Sequence, residues 1–266
     1  MKDTSILLGN SLKKIVGIVP AAGKGSRLYP YPCPKELFPI GYQDIEINGK
    51  SQKRPKVISQ YLVENIINAG AQRLLFILGE DKQDIMHYYS DGSRFEVNIA
   101  YLFQEKLHGM PFAINLAKGW VEDSTVLFGM PDTIIEPRNV FFRLLNQLQR
   151  TSADLVLGLF PTDNPSKFGM VEISESGDVI SIIDKPETTT LHYMWGCACW
   201  GPSFTTRLDD YLQANPFCGR EVVLGDVFTS ALHHGMNVKF VRFDDGQYID
   251  IGTVSELDSA LKKFHL

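Results

Sequence analysis

Ile15-Val-Gly-Ile-Val-Pro-Ala-Ala-Gly-Lys-Gly-Ser-Arg27 runs from a continuously apolar, mostly β-branched stretch into a loop carrying Gly23, Gly25 and Arg27. An apolar run of this length, closed by a glycine turn, is the pattern of a parallel strand covered on both faces. The loop then leaves the carboxyl end of a central strand, the edge at which open α/β sheets hold their ligands. Gly23 and Gly25 permit positive φ and carry no side chain, so backbone N–H groups can close around anionic oxygens. Arg27 adds a planar fork of donors that matches a phosphate, and Lys35, in Pro34-Lys-Glu-Leu37, adds a mobile point charge. The segment reads as the grip for a phosphate chain. It is not a Walker loop, because Gly23-Lys24 is followed by Gly25 rather than Ser or Thr, and it is not a dinucleotide fingerprint, because Leu28 stands where the third glycine belongs.

Outward from this loop, apolar runs at 74–78, 97–103, 125–128 and 155–160 alternate with helical patterns near 56–69, 81–90, 111–118 and 138–150. That alternation predicts an α/β fold with a Rossmann-like, mainly parallel mixed sheet flanked by helices. Beyond residue 168 the pattern changes to short strands near 169–173, 179–183 and 193–200, helices near 203–214 and 221–234, and strands near 237–243 and 247–250 that bring Asp250 back to the sheet. A helix from Ser255 closes the chain. The expectation is a single domain over 1–266 in three parts, a first half at about 13–165, a second half at about 166–252 and a C-terminal helix at about 253–266. Residues 41–55 form an insertion, in which Asp44-Ile-Glu-Ile-Asn-Gly-Lys50 reads as a hairpin turning at Asn48-Gly49. Lys50, Lys53, Arg54 and Lys56 make it cationic. It is read first as a solvated surface hairpin, and second as a lid or a contact in a homo-oligomer.

The 266 residues have a formal net charge of −5 and no long basic run, which argues against nucleic acid as a partner. No segment approaches a membrane span, and the apolar stretch in the first ten residues is too short for a signal peptide, so a cytoplasmic location is the expectation. Cys33, Cys197, Cys199 and Cys218 lack metal-site or redox spacing and are read as reduced. Cys197 and Cys199, two apart on a strand, face one side and are read as core.

Gly-X-Gly-Ser-Arg, Pro30, Pro-Lys-Glu-Leu and Pro-Ile, followed in order by Gln104 with Gly109, Asp132, Phe168-Gly169 with Glu172, Asp184-Lys-Pro186 and Asp250-Ile-Gly-Thr253, resemble the sugar-1-phosphate nucleotidyltransferases, most closely the thymidylyl- and uridylyltransferases. The resemblance covers nearly the whole chain. It implies in-line attack of a sugar-1-phosphate oxygen on the α-phosphorus of dTTP or UTP, with pyrophosphate leaving, in a magnesium-dependent enzyme of nucleotide-sugar biosynthesis. Such chemistry needs positioning and charge neutralisation rather than a general base. The resemblance places Ala22, Gly23, Gly25 and Ser26 around the phosphates, Arg27 and Lys35 as catalytic cations, and Asp132 and Asp250 as a magnesium pair. It makes Lys185 the cation for the sugar phosphate, and Gly169, Glu172, Asp184 and Gly196 the sugar contacts.

Gln104 can accept from N3–H and donate to O4 of uracil or thymine, and Gly109 lets the backbone approach the base. His108 is read as a rim residue. Several positions depart from the family pattern. Asp184 replaces the usual Glu, Trp195 precedes Gly196, and Glu221-Val-Val-Leu-Gly-Asp226 lacks the second acidic residue and the Thr common before its Asp. Two other readings stand beside the leading one. A cytidylyltransferase would use CTP and phosphocholine or another small phosphate ester, with Tyr193, Trp195 and Trp200 as an aromatic cage. A non-catalytic nucleotide-binding module would have no need of both metal carboxylates.

Overall fold

The structure is a computed structural model that describes residues 14–264; the reading of the first ten residues lies outside that range. The chain runs through β1 (Ile15–Ala21), β2 (Pro39–Ile47), β3 (Lys50–Val57), α1 (Ile58–Asn68), β4 (Arg73–Leu78), α2 (Gln83–Tyr89), β5 (Asn98–Phe103), α3 (Met110–Asn115), α4 (Lys118–Val121), β6 (Thr125–Gly129), β7 (Thr133–Glu136) and α5 (Val140–Thr151). The second part contains β8 (Leu155–Pro161), β9 (Gly169–Ile173), β10 (Val179–Asp184), β11 (Tyr193–Trp200), α6 (Pro202–Ala214), α7 (Leu224–His233), β12 (Val238–Arg242), β13 (Gln247–Asp250) and α8 (Val254–Lys263).

Among the described residues the main sheet has nine strands, running β10-β9-β11-β6-β1-β4-β5, with β8 paired to both β11 and β12. β6, β1, β4 and β5 are mutually parallel, as the alternating strand and helix pattern requires. β11 is antiparallel to β6 and β8, and it joins the parallel ladder to the β9–β10 hairpin. The sheet is therefore mixed and covered by helices on both faces, as expected. Residues of β1 alternate between the two cores. Val19 and Ala21 pack with Leu62, Ile66, Phe141 and Leu144 of α1 and α5. Val16 and Ile18 pack with Ile114, Phe204 and Phe228 of α3, α6 and α7. With both faces covered, Val16, Ile18, Val19 and Ala21 of β1 are all buried, each gaining roughly 25 cal/mol per Å² of apolar surface removed from water.

Asp250 does not return to the main sheet as expected. β13 pairs antiparallel with β7 in a separate two-stranded sheet, with Asp250 opposite Thr133. A third, smaller core of Ile40, Ile58, Ile134, Ile251 and Ala260 anchors this pair beneath α8. The short β13 can bury Ile251 there, and α8 then covers it. The 41–55 insertion is the expected hairpin: β2 and β3 pair from Ile47↔Lys50 back to Pro39↔Val57, and Asn48 and Gly49 both take positive φ, 52° and 73°. β3 runs on to Val57, so α1 begins at Ile58 rather than near 56. Likewise α7 begins at Leu224, leaving Glu221, Val222 and Val223 outside the helix, where they border a cavity. Cys197 and Cys199 are fully buried in one core, as read. No helix is long and apolar enough to cross a membrane, among the described residues.

Candidate active site

A cavity of about 530 Å³ opens at the carboxyl ends of β1 and β6, within the size range of a small-molecule site. Arg27, Lys35, Asp132, Gly169, Asp184, Lys185 and Asp250 all border it. Seven side chains or backbones scattered over 224 positions of sequence thus converge on one space.

The glycine loop is shaped by packing as well as by conformation. Gly25 has φ 64°, in the left-handed region that favours glycine. A Cβ there would meet the Lys35 side chain at 3.6 Å, so the aliphatic stem of Lys35 lies along the loop. Ala22 at the loop's root packs on Gly79, where a Cβ would stand 2.5 Å from the Ala22 carbonyl oxygen. Gly23 has open space above it, the room a phosphate oxygen needs. Ser26 begins the short 3-10 turn Ser26–Leu28, from which Arg27 reaches Gly252: a Cβ on Gly252 would lie 3.0 Å from Arg27 Nη2 and 3.2 Å from both carboxylate oxygens of Asp250. Gly252 is small because guanidinium and carboxylate crowd it together.

Lys35 and Asp132 form an ion pair at the cavity wall. Burial draws the Lys35 ammonium towards losing its proton, but the charge and hydrogen bond of Asp132, with Glu36 and Asp250 behind, outweigh burial and hold its pKa above the ordinary lysine value. Glu36 points the other way, into a buried pair with Lys82 at 2.8 Å. Asp250 accepts from Gly252 N–H at 2.8 Å. Its pKa is pushed up to about 6 by burial first, then by the negative charges of Asp132 and Glu256. Two carboxylates facing one cavity this way repel each other and would repel a triphosphate.

The donor set at this point fits a divalent cation. Asp132 stands in the turn just before β7 and Asp250 ends β13, its partner strand, and no cluster of three or more Asp, Glu, His or Cys forms around them among the described residues. A cation held there would complete its shell with phosphate oxygens and water, which is how magnesium is ordinarily bound. Glu256 is accounted for separately: Lys167 pairs with it at 2.6 Å. Thr253 caps α8, with its side chain accepting from Glu256 N–H.

The positions expected to contact a sugar divide by strand face. Gly169 and Asp184 are register partners across β9 and β10, and both border the cavity. Lys185 follows with φ 45°, unusual for a residue with a side chain; its Nζ is 3.9 Å from Asp184 Oδ2. Glu172 lies three residues from Gly169, an odd step that turns a strand residue to the opposite face. Its carboxylate accepts from Ser181 Oγ at 2.7 Å, and it does not border the cavity. Gly196 is also away from the cavity surface: a Cβ there would stand 2.6 Å from the ring of the half-buried Tyr248, which itself borders the cavity, so this glycine seats that ring.

Gln104 is buried at the end of β5, with Nε2 3.4 Å from the Gly109 carbonyl oxygen. Gly109 has φ 113°, and a Cβ there would be 2.4 Å from the Val222 carbonyl oxygen. The Gln104–Gly109 loop therefore leans on the chain that borders the cavity at Glu221–Val223. His108 stacks on Phe217 with ring centroids 4.0 Å apart and does not border the cavity. Sequence reasoning missed Lys167, Tyr248 and Glu256 at the cavity and took Trp195 only as a departure or a cage member; the Lys-Phe-Gly context and the Thr253 to Glu256 capping spacing were the available signals for Lys167 and Glu256. No cage forms. Trp200 is core, donating to Thr205 Oγ1 at 3.1 Å, and Tyr193 donates to Asp244 at 2.7 Å.

The fold and this arrangement define an α/β protein with one cavity lined by both cations and carboxylates. The chain belongs to the nucleotidyl transferase family, whose sequence model matches residues 16–265. Among its curated relatives, Low-salt glycan biosynthesis nucleotidyltransferase Agl11 of Haloferax volcanii is 26% identical over 223 residues, 82% of this chain and 57% of the relative. UTP–glucose-1-phosphate uridylyltransferase AglF of the same organism is 24% identical over 91% of this chain and 93% of its own. Glucose-1-phosphate thymidylyltransferase of Mycolicibacterium smegmatis is 26% identical over 66% of this chain and 57% of its own. The chain thus spans little more than half of some of the curated relatives it matches. Its fold is similar to that of a Bacillus anthracis protein crystallised with sucrose, with TM-score 0.80 and 21% identity over 94% of this chain and 95% of that one. It is also similar to UDP-glucose pyrophosphorylase complexed with UDP-glucose, with TM-score 0.76 and 18% identity over 95% and 98%.

Proposed function

We propose that this protein transfers a nucleotidyl group from dTTP or UTP to a sugar-1-phosphate. The oxygen of the sugar phosphate forms a bond to the α-phosphorus while the bond from that phosphorus to the bridging oxygen breaks, and pyrophosphate leaves with the electron pair. The observation that carries the reading is the convergence of Arg27, Lys35 and Lys185 with Asp132 and Asp250 on one cavity, because two polyanions cannot meet without cations on both sides.

In this reading the glycine loop and Arg27 hold the triphosphate and take up charge on the departing pyrophosphate. Lys35, kept protonated by Asp132, faces the phosphate at which bonding changes. Lys185 holds the incoming monoester, already deprotonated near neutral pH, so no side chain has to remove a proton. Asp132 and Asp250 would hold magnesium, which supplies charge neutralisation at the α-phosphate. Gln104 would turn its amide from Gly109 to the base, pairing with N3–H and O4 of uracil or thymine. Asp184 would accept from a sugar hydroxyl. The names of the uridylyl- and thymidylyltransferase relatives support the same nucleotide pair.

The test is pyrophosphate release with magnesium, crossing the four ribonucleoside triphosphates and dTTP against glucose-1-phosphate, other sugar-1-phosphates and phosphocholine. Release with a sugar-1-phosphate plus dTTP or UTP is the expected result. Turnover of CTP with phosphocholine, or none across the panel, contradicts the reading.

A further inference from the structure

Trp195 borders the cavity from β11, next to the irregularity where the β8–β11 register shifts between Trp195 and Cys197. The indole is held on two sides. Phe228 of α7 meets it edge-on, with ring centroids 5.1 Å apart and planes at 83°. At the pyrrole edge, a Cβ at Gly169 would stand 2.2 Å from Trp195 Nε1 and 2.8 Å from Cδ1. The pyrrole edge therefore rests on the backbone of Gly169, and only a residue without a side chain fits there. Nε1 is buried and has no acceptor among the described residues, although the side chain as a whole is only half-buried. A buried indole N–H ordinarily finds a partner, so one left free in a cavity wall calls for an explanation.

The surroundings indicate which part of an acceptor this wall meets. Gly169 pairs in register with Asp184, and Lys185 follows, so the indole stands beside the positions proposed for a sugar hydroxyl and for the sugar phosphate. Met110, Val222 and Leu224 add apolar groups to the lining of the same cavity. A triphosphate gains nothing from such a wall. A hexopyranose does, because one face of its ring presents C–H groups that pack on an aromatic plane while the hydroxyls at its rim reach polar groups.

We infer that Trp195 recognises the sugar ring, taking the C–H face of a hexopyranose 1-phosphate on its indole, with a small rotation off Gly169 turning Nε1–H to a sugar oxygen. This rests on the proposed function and specifies how that site reads its acceptor. Trp195 thereby selects for a ring over a small flexible phosphate ester.

The experiment uses the full chain and its own fluorescence. The sequence has three tryptophans; Trp120 is 62% exposed on α4, and Trp200 is 1% exposed in the core. Trp120→Phe leaves Trp195 as the reporter at the cavity. Titration of that variant with glucose-1-phosphate and magnesium is expected to give a saturable fluorescence change that Trp120→Phe/Trp195→Phe lacks. In kinetics, Trp195→Ala is expected to raise KM for the sugar-1-phosphate at least about tenfold, the scale of a lost pocket contact. Trp195→Phe keeps the aromatic plane and the fold, so its sugar KM should rise less, and both variants should leave the nucleotide KM within about twofold. A sugar KM unmoved by Trp195→Ala in an active enzyme overturns the inference while the proposed function stands. So does phosphocholine producing the same Trp195 signal with equal affinity. A wild-type chain that releases no pyrophosphate with any sugar-1-phosphate overturns the proposed function first, and this inference with it.

Discussion

The backbone N–H of Ile251 donates to the carbonyl oxygen of Asp132 at 3.2 Å. This bond extends the register that sets Asp250 opposite Thr133, and it brings two carboxylates 118 positions apart in sequence to one cavity wall. Main-chain pairing, backed by the apolar core around Ile134 and Ile251, holds the two together against their mutual repulsion. The site carries this electrostatic strain when no cation is present.

Stability in the absence of divalent cation should therefore fall as pH rises through the range in which Asp250 ionises. Its folded pKa of about 6 lies above the ordinary value of 3.8, so the folded chain binds more protons than the unfolded chain between those values. The cost is absent below about pH 4, grows through pH 6 and is complete above it, on the order of 1–3 kcal/mol. Asp250→Asn should raise Tm at pH 8 in chelator, should differ little from wild type near pH 4, and should lose the Tm increase that magnesium gives the wild type. Thermal melts at both pH values, with and without magnesium, check each part.

Lys35→Ala should do two kinds of damage. Turnover should fall by about 10²–10³, the usual scale for removing a donor to a developing charge. Stability should fall as well, because the side chain of Asp132 is only 8% exposed and would be left without its ammonium partner. A double-mutant cycle with Asp132→Asn should recover part of the stability loss and none of the turnover. Denaturant titration and initial rates separate the two.

The Glu36–Lys82 pair lies beneath the loop that carries Lys35, with both side chains at most 5% exposed. Removing one partner, as in Glu36→Ala, should destabilise the chain by about 3–5 kcal/mol. Replacing both with apolar residues, Glu36→Leu with Lys82→Met, should cost much less by urea denaturation. If the two variants were equally unstable, the charge of the pair would not be the cause.

Gln104→Ala should weaken discrimination of dTTP and UTP against CTP by about tenfold or more, through loss of hydrogen bonds specific to those bases. Its effect on sugar-1-phosphate KM should be small. Steady-state rates with the three nucleotides at fixed glucose-1-phosphate measure both.

Cys197 and Cys199 are fully buried, and burial pushes both thiols well up from their usual range. A thiol reagent that reacts through the thiolate should modify the exposed Cys218 first and Cys33, itself raised by burial and by Asp84 and Glu36, more slowly. Cys197 and Cys199 should react only in denaturant. Time-resolved labelling with peptide mapping gives the order.

Local features of this site were legible in the sequence. The β1 strand, the Gly23–Arg27 loop, the Asn48-Gly49 hairpin and the lone Asp residues after strands follow from short-range rules of burial, φ and turn chemistry. Features that depend on pairing were not. Glu172 and Gly169 sit three apart on one five-residue strand, so their opposite facing was legible from the spacing, but which face meets the cavity was set only by the pairing of β9 with its neighbours. Gly196 resembles a position for ligand approach, but it is small because the ring of Tyr248, 52 residues later, needs the space. Asp250 reaches the site through a two-stranded sheet because Ile249 and Ile251 find a third core that no periodicity announced. Trp195 stood out only as a departure; its clamp between Gly169 and Phe228 is tertiary.

The most direct test of the central claim is phosphorus NMR of the full chain incubated with dTTP or UTP, glucose-1-phosphate and magnesium. The glucose-1-phosphate resonance should be consumed while pyrophosphate and the paired resonances of a nucleoside diphosphate sugar appear together, and chelator or Asp132→Asn should stop all three changes. Nucleotide hydrolysis with glucose-1-phosphate left intact, or undiminished product formation by Asp132→Asn, would contradict it.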